Sequence, residues 1–170
     1  MRVRSELSGN TPLIRISDRL YGKLETYNPS GSVKDRMICY VVERALDRGE
    51  ISSDSVLCDA TSGNTGIALS MVAASLGLKC VIFMPSNMSE ERKQMMRIYG
   101  AQIIDAPPDD FTRAIEMRDE FLKADPKAWS PNQFHNPENI RCHFETTAPE
   151  ILRDVNDLGT GWAAFIHGSG

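Results

Sequence analysis

The chain has 170 residues, enough for one domain with a substantial core, and its 41% hydrophobic and 25% charged content is ordinary for a globular protein. Its 19 basic and 23 acidic residues leave a net charge of −4 with no long basic run, and no apolar run approaches the ~20 residues of a membrane span, so no nucleic acid and no membrane partner is expected. Met1-Arg2-Val3-Arg4-Ser5 lacks the apolar core of a signal peptide, and Cys39, Cys58, Cys80 and Cys142 are scattered without a C-x-x-C pair, so the expectation is a reducing, cytoplasmic compartment with no metal site.

Leu13-Ile14-Arg15-Ile16 and Gly22-Lys23-Leu24-Glu25 read as short strands separated by a turn. The next stretch, Asn28-Pro29-Ser30-Gly31-Ser32-Val33-Lys34-Asp35-Arg36, delivers a lysine to the start of a strongly helical segment. One-sided desolvation and the positive end of a helix dipole both favour the neutral, nucleophilic amine, the form that makes a Schiff base. From this stretch alone, an ordinary solvated lysine at a helix start reads equally well. The helix is predicted over 35–48, where Met37, Val41 and Ala45 and then Ile38, Val42 and Leu46 build a wide apolar face that ends at Gly49.

A βα rhythm follows. Strands are predicted at 55–60, 79–84, 102–105 and 162–166, and helices over 64–76, from Ser89 to Gly100, over 110–124 and through most of 137–157 with a break near Pro149. Phe111, Ile115 and Phe121-Leu122 form the inner face of the helix at 110–124. Strands alternating with helices through short connections predict an α/β fold, an open and mostly parallel sheet with helices on both faces. Such sheets bind ligands at the carboxyl ends of their strands.

Immediately after the first buried strand comes Thr61-Ser62-Gly63-Asn64-Thr65-Gly66. Small residues let backbone amides approach a ligand, the following helix points its positive end there, and the hydroxyls of Thr61, Ser62 and Thr65 can fix orientation. A plain strand-to-helix turn rich in capping residues is the other reading. An anion loop together with a poised lysine points to an amino-acid carboxylate held beside an imine-forming amine, which is pyridoxal phosphate chemistry.

Seen together, these motifs resemble the cysteine synthase (O-acetylserine sulfhydrylase) family of fold type II pyridoxal phosphate enzymes, the tryptophan synthase β-like fold, with cystathionine β-synthase as a sibling. The resemblance runs through Gly9-Asn10-Thr11-Pro12-Leu13, Lys23-Leu24-Glu25, Asn28 to Arg36, Thr61 to Gly66, Met84-Pro85 with Met88-Ser89-Glu90-Glu91-Arg92, Tyr99-Gly100-Ala101, Asn132-Gln133-Phe134 and Glu145 to Ile151. It implies that Lys34 forms the Schiff base with pyridoxal 5'-phosphate and then removes the substrate's α-proton. It implies that Asn64 hydrogen-bonds the cofactor's 3′-oxygen and that Thr61, Ser62, Gly63, Asn64, Thr65 and Gln133 form the substrate-carboxylate site. The implied reaction is β-replacement of O-acetylserine with sulfide to give cysteine and acetate. Related dehydratases usually carry Asn-His in this loop where Asn64-Thr65 stands here, which favours replacement over deamination. His143 matches a histidine of the family, with helix packing or capping as its simpler reading. Asp35 and Arg36 are expected to make structural pairs near the cofactor.

Within residues 1–170, about 45–150 are expected to form the smaller α/β subdomain that carries the carboxylate loop. The family's phosphate-binding Gly-Thr-Gly-Gly-Thr would begin at Gly170, a cofactor-binding candidate, where the chain stops. The resemblance thus covers roughly the N-terminal half of a family member, incomplete at the C-terminus, and turnover by this chain alone is expected to be low. The intact form is expected to be a homodimer. Two hypotheses stay open: part of a cysteine synthase-type enzyme, or of a sibling using another thiol; and a non-catalytic binding or assembly module of the same fold.

Overall fold

The structure, a computed structural model, describes residues 8–159 and 161–168. The chain opens with an antiparallel hairpin, β1 (Leu13–Ser17) against β2 (Leu20–Lys23). After a short 3-10 turn at Glu25–Tyr27 comes α1 (Lys34–Asp47). Then follow β3 (Val56–Ala60), α2 (Asn64–Leu76), β4 (Lys79–Pro85), α3 (Glu90–Ile98), β5 (Gln102–Ala106), α4 (Phe111–Ala124) and the two-residue β6 (Ala128–Trp129). Two further helices, α5 (Pro137–Cys142) and α6 (Ala148–Asp157), flank a π-helical turn at His143–Thr147.

The four strands β3 to β6 form one parallel sheet in the order β5-β4-β3-β6. Side chains alternate across it with the period of two that a pleated strand imposes. In β4, Cys80, Ile82 and Met84 enter one core, which Met37, Val41 and Val42 of α1 and Leu69 and Val72 of α2 complete. Val81 and Phe83 enter the other, closed by Ala114 of α4 with Phe111, Ile115, Phe121 and Leu122 packed against it. Both faces of the strands are therefore apolar, as a parallel sheet covered on both sides requires. α2, between the sheet and α1, has buried residues around most of its circumference, from Thr65 to Ser70 and at Val72 and Ala73. Gly66 lets it sit close: an added Cβ would lie 2.6 Å from Thr61 Cγ2 and 2.8 Å from Met96 Cε.

Two expectations are corrected. Trp162–Ile166 was predicted as a strand and has none of its ladder bonds. A strand exists only where a neighbour supplies the other half of its hydrogen bonds, and this segment pairs with no described strand. Its side chains are exposed instead, with Trp162 edge-on to Phe165 and His167 stacked on Phe165. Ser89 stands at the start of α3, yet its hydroxyl makes no cap bond to the helix amides. No helix among the described residues is long and apolar enough to cross a membrane.

Candidate active site

Each parallel strand ends on the same edge of the sheet, and the loops that leave those ends surround one open cleft of about 530 Å³. Thr61 to Thr65 follow β3, Pro85 and Met88 follow β4, Asp109 and Phe111 follow β5, and Gln133 and Phe134 follow β6. Lys34, the first residue of α1, and Arg92 of α3 complete the lining. Lys34, Thr61, Ser62, Gly63, Asn64, Thr65 and Gln133 were all singled out from the sequence, and all border this cleft. The remaining candidate, Gly170, lies outside the described residues.

The loop after β3 is held from several sides. The Thr61 amide continues the parallel ladder by donating to Phe83 O at 3.1 Å, and the Gly63 amide turns back to Thr61 Oγ1 at 3.1 Å. Arg92 lies across the loop, with Nη1 donating to Ser62 O at 3.1 Å. A Cβ at Gly63 would come within 2.9 Å of that arginine's Cδ, so a larger residue there would push the exposed Arg92 side chain off the loop. No side chain caps α2 at Gly63, which leaves the first amides of the helix open at its positive end. Thr61, Gly63 and Thr65 are buried while Ser62 and Asn64 are exposed.

Gln133 reaches the loop through a turn at Asn132, whose φ of +46° is a conformation asparagine tolerates. Thr65 Oγ1 donates to Gln133 Oε1 at 2.8 Å in a buried contact. That bond occupies the amide oxygen, so the Gln133 NH₂ remains to donate elsewhere.

Lys34 is fixed by its neighbours. Asp35, fully buried, accepts from the Ser30 amide at 2.6 Å and from the Ser30 hydroxyl. Burial raises the Asp35 pKa, and the two bonds from Ser30 oppose the rise. Arg36 forks between two carboxylates, with Nε 2.7 Å from Glu25 Oε2, and Nη1 and Nη2 each 2.7 Å from a Glu150 oxygen. Glu150 also accepts from the Asn10 amide at 3.0 Å and pairs with Lys23 at 3.1 Å. The expected structural roles of Asp35 and Arg36 thus hold, and they set the first turn of α1 on either side of Lys34. The Lys34 amine itself has no hydrogen-bond or ion-pair partner among the described residues.

His143 Nδ1 lies 2.8 Å from Thr147 Oγ1 inside the π-helical turn, which matches its packing reading. Burial lowers its pKa, and the charges of Lys34 and Arg36 lower it further. Sequence reasoning gave no role to Arg92, Met88 or Phe134, although all three stand within its quoted motifs, and it placed Phe111 only in the core. It passed over Asp109, which exchanges bonds with Asn87 of 2.6 and 3.0 Å at the cleft mouth. Phe111 and Phe134 meet edge-to-face at 6.3 Å and, with Pro85 and Met88, make an apolar wall.

A parallel βα sheet thus brings an amine-bearing residue and an uncapped helix start to one cleft. The profile described as pyridoxal-phosphate dependent enzyme matches residues 4–170, and the chain belongs to that family. Over 171 residues it is 40% identical to a cysteine synthase of Flavobacterium sp., covering 92% of this chain and 56% of that protein. It is also 40% identical to cysteine synthase B of Salmonella typhimurium, covering 100% of this chain and 58% of the relative. Among solved structures, it is similar to a hydrogen sulfide-producing enzyme from Fusobacterium nucleatum, with a TM-score of 0.83 and 43% identity over 90% of this chain and 52% of the other. An O-acetylserine-dependent cystathionine β-synthase from Helicobacter pylori superposes with a TM-score of 0.83 at 35% identity, over 89% and 53% of the two chains. The chain spans about half the length of the curated relatives it matches.

Proposed function

We propose that this chain carries the lysine and substrate-carboxylate half of a pyridoxal phosphate-dependent cysteine synthase site, at which the Cβ–O bond of O-acetylserine breaks, acetate leaves and sulfide takes its place on Cβ to give cysteine. The observation that carries the reading is the convergence of Lys34, Thr61 to Thr65 and Gln133 on one cleft. The donor set fits the cofactor: one primary amine without a hydrogen-bond or ion-pair partner, hydroxyl and amide donors opposite it, and no metal-binding cluster among the described residues. The volume, about 530 Å³, is that of an ordinary small-molecule site. When bound, pyridoxal phosphate supplies the electron sink that acidifies the substrate's α-carbon.

The chain's residues do the rest. Lys34 holds the cofactor through its amine and afterwards takes the α-proton at Nζ. Asn64 would hydrogen-bond the cofactor's 3′-oxygen. Ser62, the open amides of α2 including that of Thr65, and the Gln133 NH₂ hold the substrate carboxylate, with the Thr65 hydroxyl orienting Gln133 and the Thr61 hydroxyl setting the loop geometry. Gly170 would open the phosphate loop, and about 45–150 would be the subdomain that carries the carboxylate site. The apolar wall of Pro85, Met88, Phe111 and Phe134 favours a second reading, in which the nucleophile is a larger thiol as in a cystathionine β-synthase. Assaying sulfide against homocysteine distinguishes the two.

Ser62→Ala and Gln133→Ala are expected to weaken amino-acid binding more than cofactor binding. A hydrogen bond to a charged group contributes roughly 1.5–3 kcal/mol, so each loss corresponds to about ten- to a hundredfold in affinity. Titrating the cofactor-loaded protein with O-acetylserine and following the cofactor's absorption measures both. Wild-type affinity in both variants would show that the loop does not hold the carboxylate.

A further inference from the structure

Asp59 is the penultimate residue of β3, two positions before the anion loop. It is 1% exposed. Its Oδ1 accepts from Arg118 Nη1 of α4 at 3.4 Å and from Ser130 Oγ, just beyond β6, at 3.3 Å. Its Oδ2 is buried and has no hydrogen-bond partner among the described residues. A buried carboxylate so incompletely paired is costly to keep, and a packing role would be filled at less cost by an apolar side chain. Ser130 in turn accepts from the Asn132 amide at 3.2 Å, next to Gln133. One carboxylate therefore touches the strand that launches Thr61 to Thr65 and the segment that launches Gln133.

We propose that Asp59 is a positioning residue that holds the anion loop and Gln133 in mutual register through Ser130 and Arg118, and that losing its charge loosens both together. This rests on the reading of that loop and Gln133 as the carboxylate site. The groups around Asp59 leave it as the one that changes state near neutrality. Arg118 also pairs with Asp119 at 2.8 Å. Burial pushes the Cys58 thiol on the same strand and the Cys80 thiol on β4 up to about 12, so both stay neutral. Burial also raises Asp59 to about 6, against the pull of Arg118, the Ala60 amide and Ser130.

The test is the amide NMR spectrum of the full chain without ligand between pH 5 and 8, followed by an O-acetylserine titration at pH 7. The amides of Thr61, Gly63 and Gln133 are expected to follow a single titration curve centred near 6. That curve should be flat in Asp59→Asn, which should also bind O-acetylserine about two- to tenfold more weakly, the factor for one neutral hydrogen bond. Ser130→Ala, which leaves Asp59 and Arg118 in place, should remove the curve at Gln133 and keep it at Thr61. It carries the test if Asp59→Asn does not fold. Loop amides that do not titrate, or that titrate unchanged in the variants, overturn the proposal. If O-acetylserine moves none of these amides while the pH coupling persists, the carboxylate reading is lost and the positioning role stands.

Discussion

Replacing Arg36 with leucine is expected to destabilise the fold by about 3–5 kcal/mol, the cost of leaving buried charges unpaired. The Arg36 side chain is 2% exposed and bonds to Glu25, Glu150 and Thr11 Oγ1 at once. Glu150 extends the network to Asn10 and Lys23, and Lys23 continues to Asp154 at 2.8 Å and to Thr11 O at 2.6 Å. The network therefore ties the N-terminal segment, α1 and α6 into one unit. Gly9 fits over it only as glycine, with φ at +91° and an added Cβ 2.9 Å from both Arg36 Nη1 and Glu150 Oε1. Against a typical total of ~5–15 kcal/mol, such a loss removes a large share of the stability. Urea unfolding of the variant checks it, and a loss below about 1 kcal/mol would assign the network no more weight than a surface ion pair.

The same network sets an acid limit. Burial opposes ionisation of Glu150, but the bonds from Arg36, Asn10 and Lys23 outweigh it and hold the carboxyl down at about 2, from an ordinary 4.5. A carboxyl with a depressed folded-state pKa binds protons more readily when unfolded. Its contribution is thus complete above about 4.5 and is lost as pH falls towards about 2. Glu150→Gln should flatten stability against pH across that window.

In a chain extended through the phosphate loop, Lys34→Ala is expected to abolish the absorption of lysine-bound cofactor and to lower turnover by at least a hundred- to ten-thousandfold, the usual range for loss of a positioned proton-transfer group. Because the amine has no hydrogen-bond or ion-pair partner among the described residues, stability should stay within about 0.5 kcal/mol of wild type. The contrast would be diagnostic, with Arg36, two residues away, expected to govern folding and Lys34 expected to govern chemistry. A Lys34→Ala protein that keeps its turnover would move the proton transfer to another residue.

Which parts of this arrangement the sequence foretold follows from the range of the interactions. The apolar runs of β3 and β4 and the four-residue recurrence in α1 are local, and their elements stand where the patterns put them, within a residue or two at their ends. That Lys34 and Thr61 to Thr65 border one cleft was legible because each motif is continuous. The fork of Arg36 was legible only as unspecified structural pairs, since its carboxylates are 11 and 114 residues away. Asp59 gave no signal, because Arg118 and Ser130 reach it only through the sheet order. β6 is two residues long, too short for any period to register. Trp162–Ile166 has the composition of a strand, but pairing is a property of neighbours and not of the segment.

The central claim is that Lys34 is the cofactor's lysine. Borohydride reduction of the pyridoxal phosphate-loaded protein, followed by digestion and mass mapping, reads it directly. The pyridoxyl mass should fall on the peptide containing Lys34. A label on Lys23, Lys79 or Lys93 instead would contradict the account.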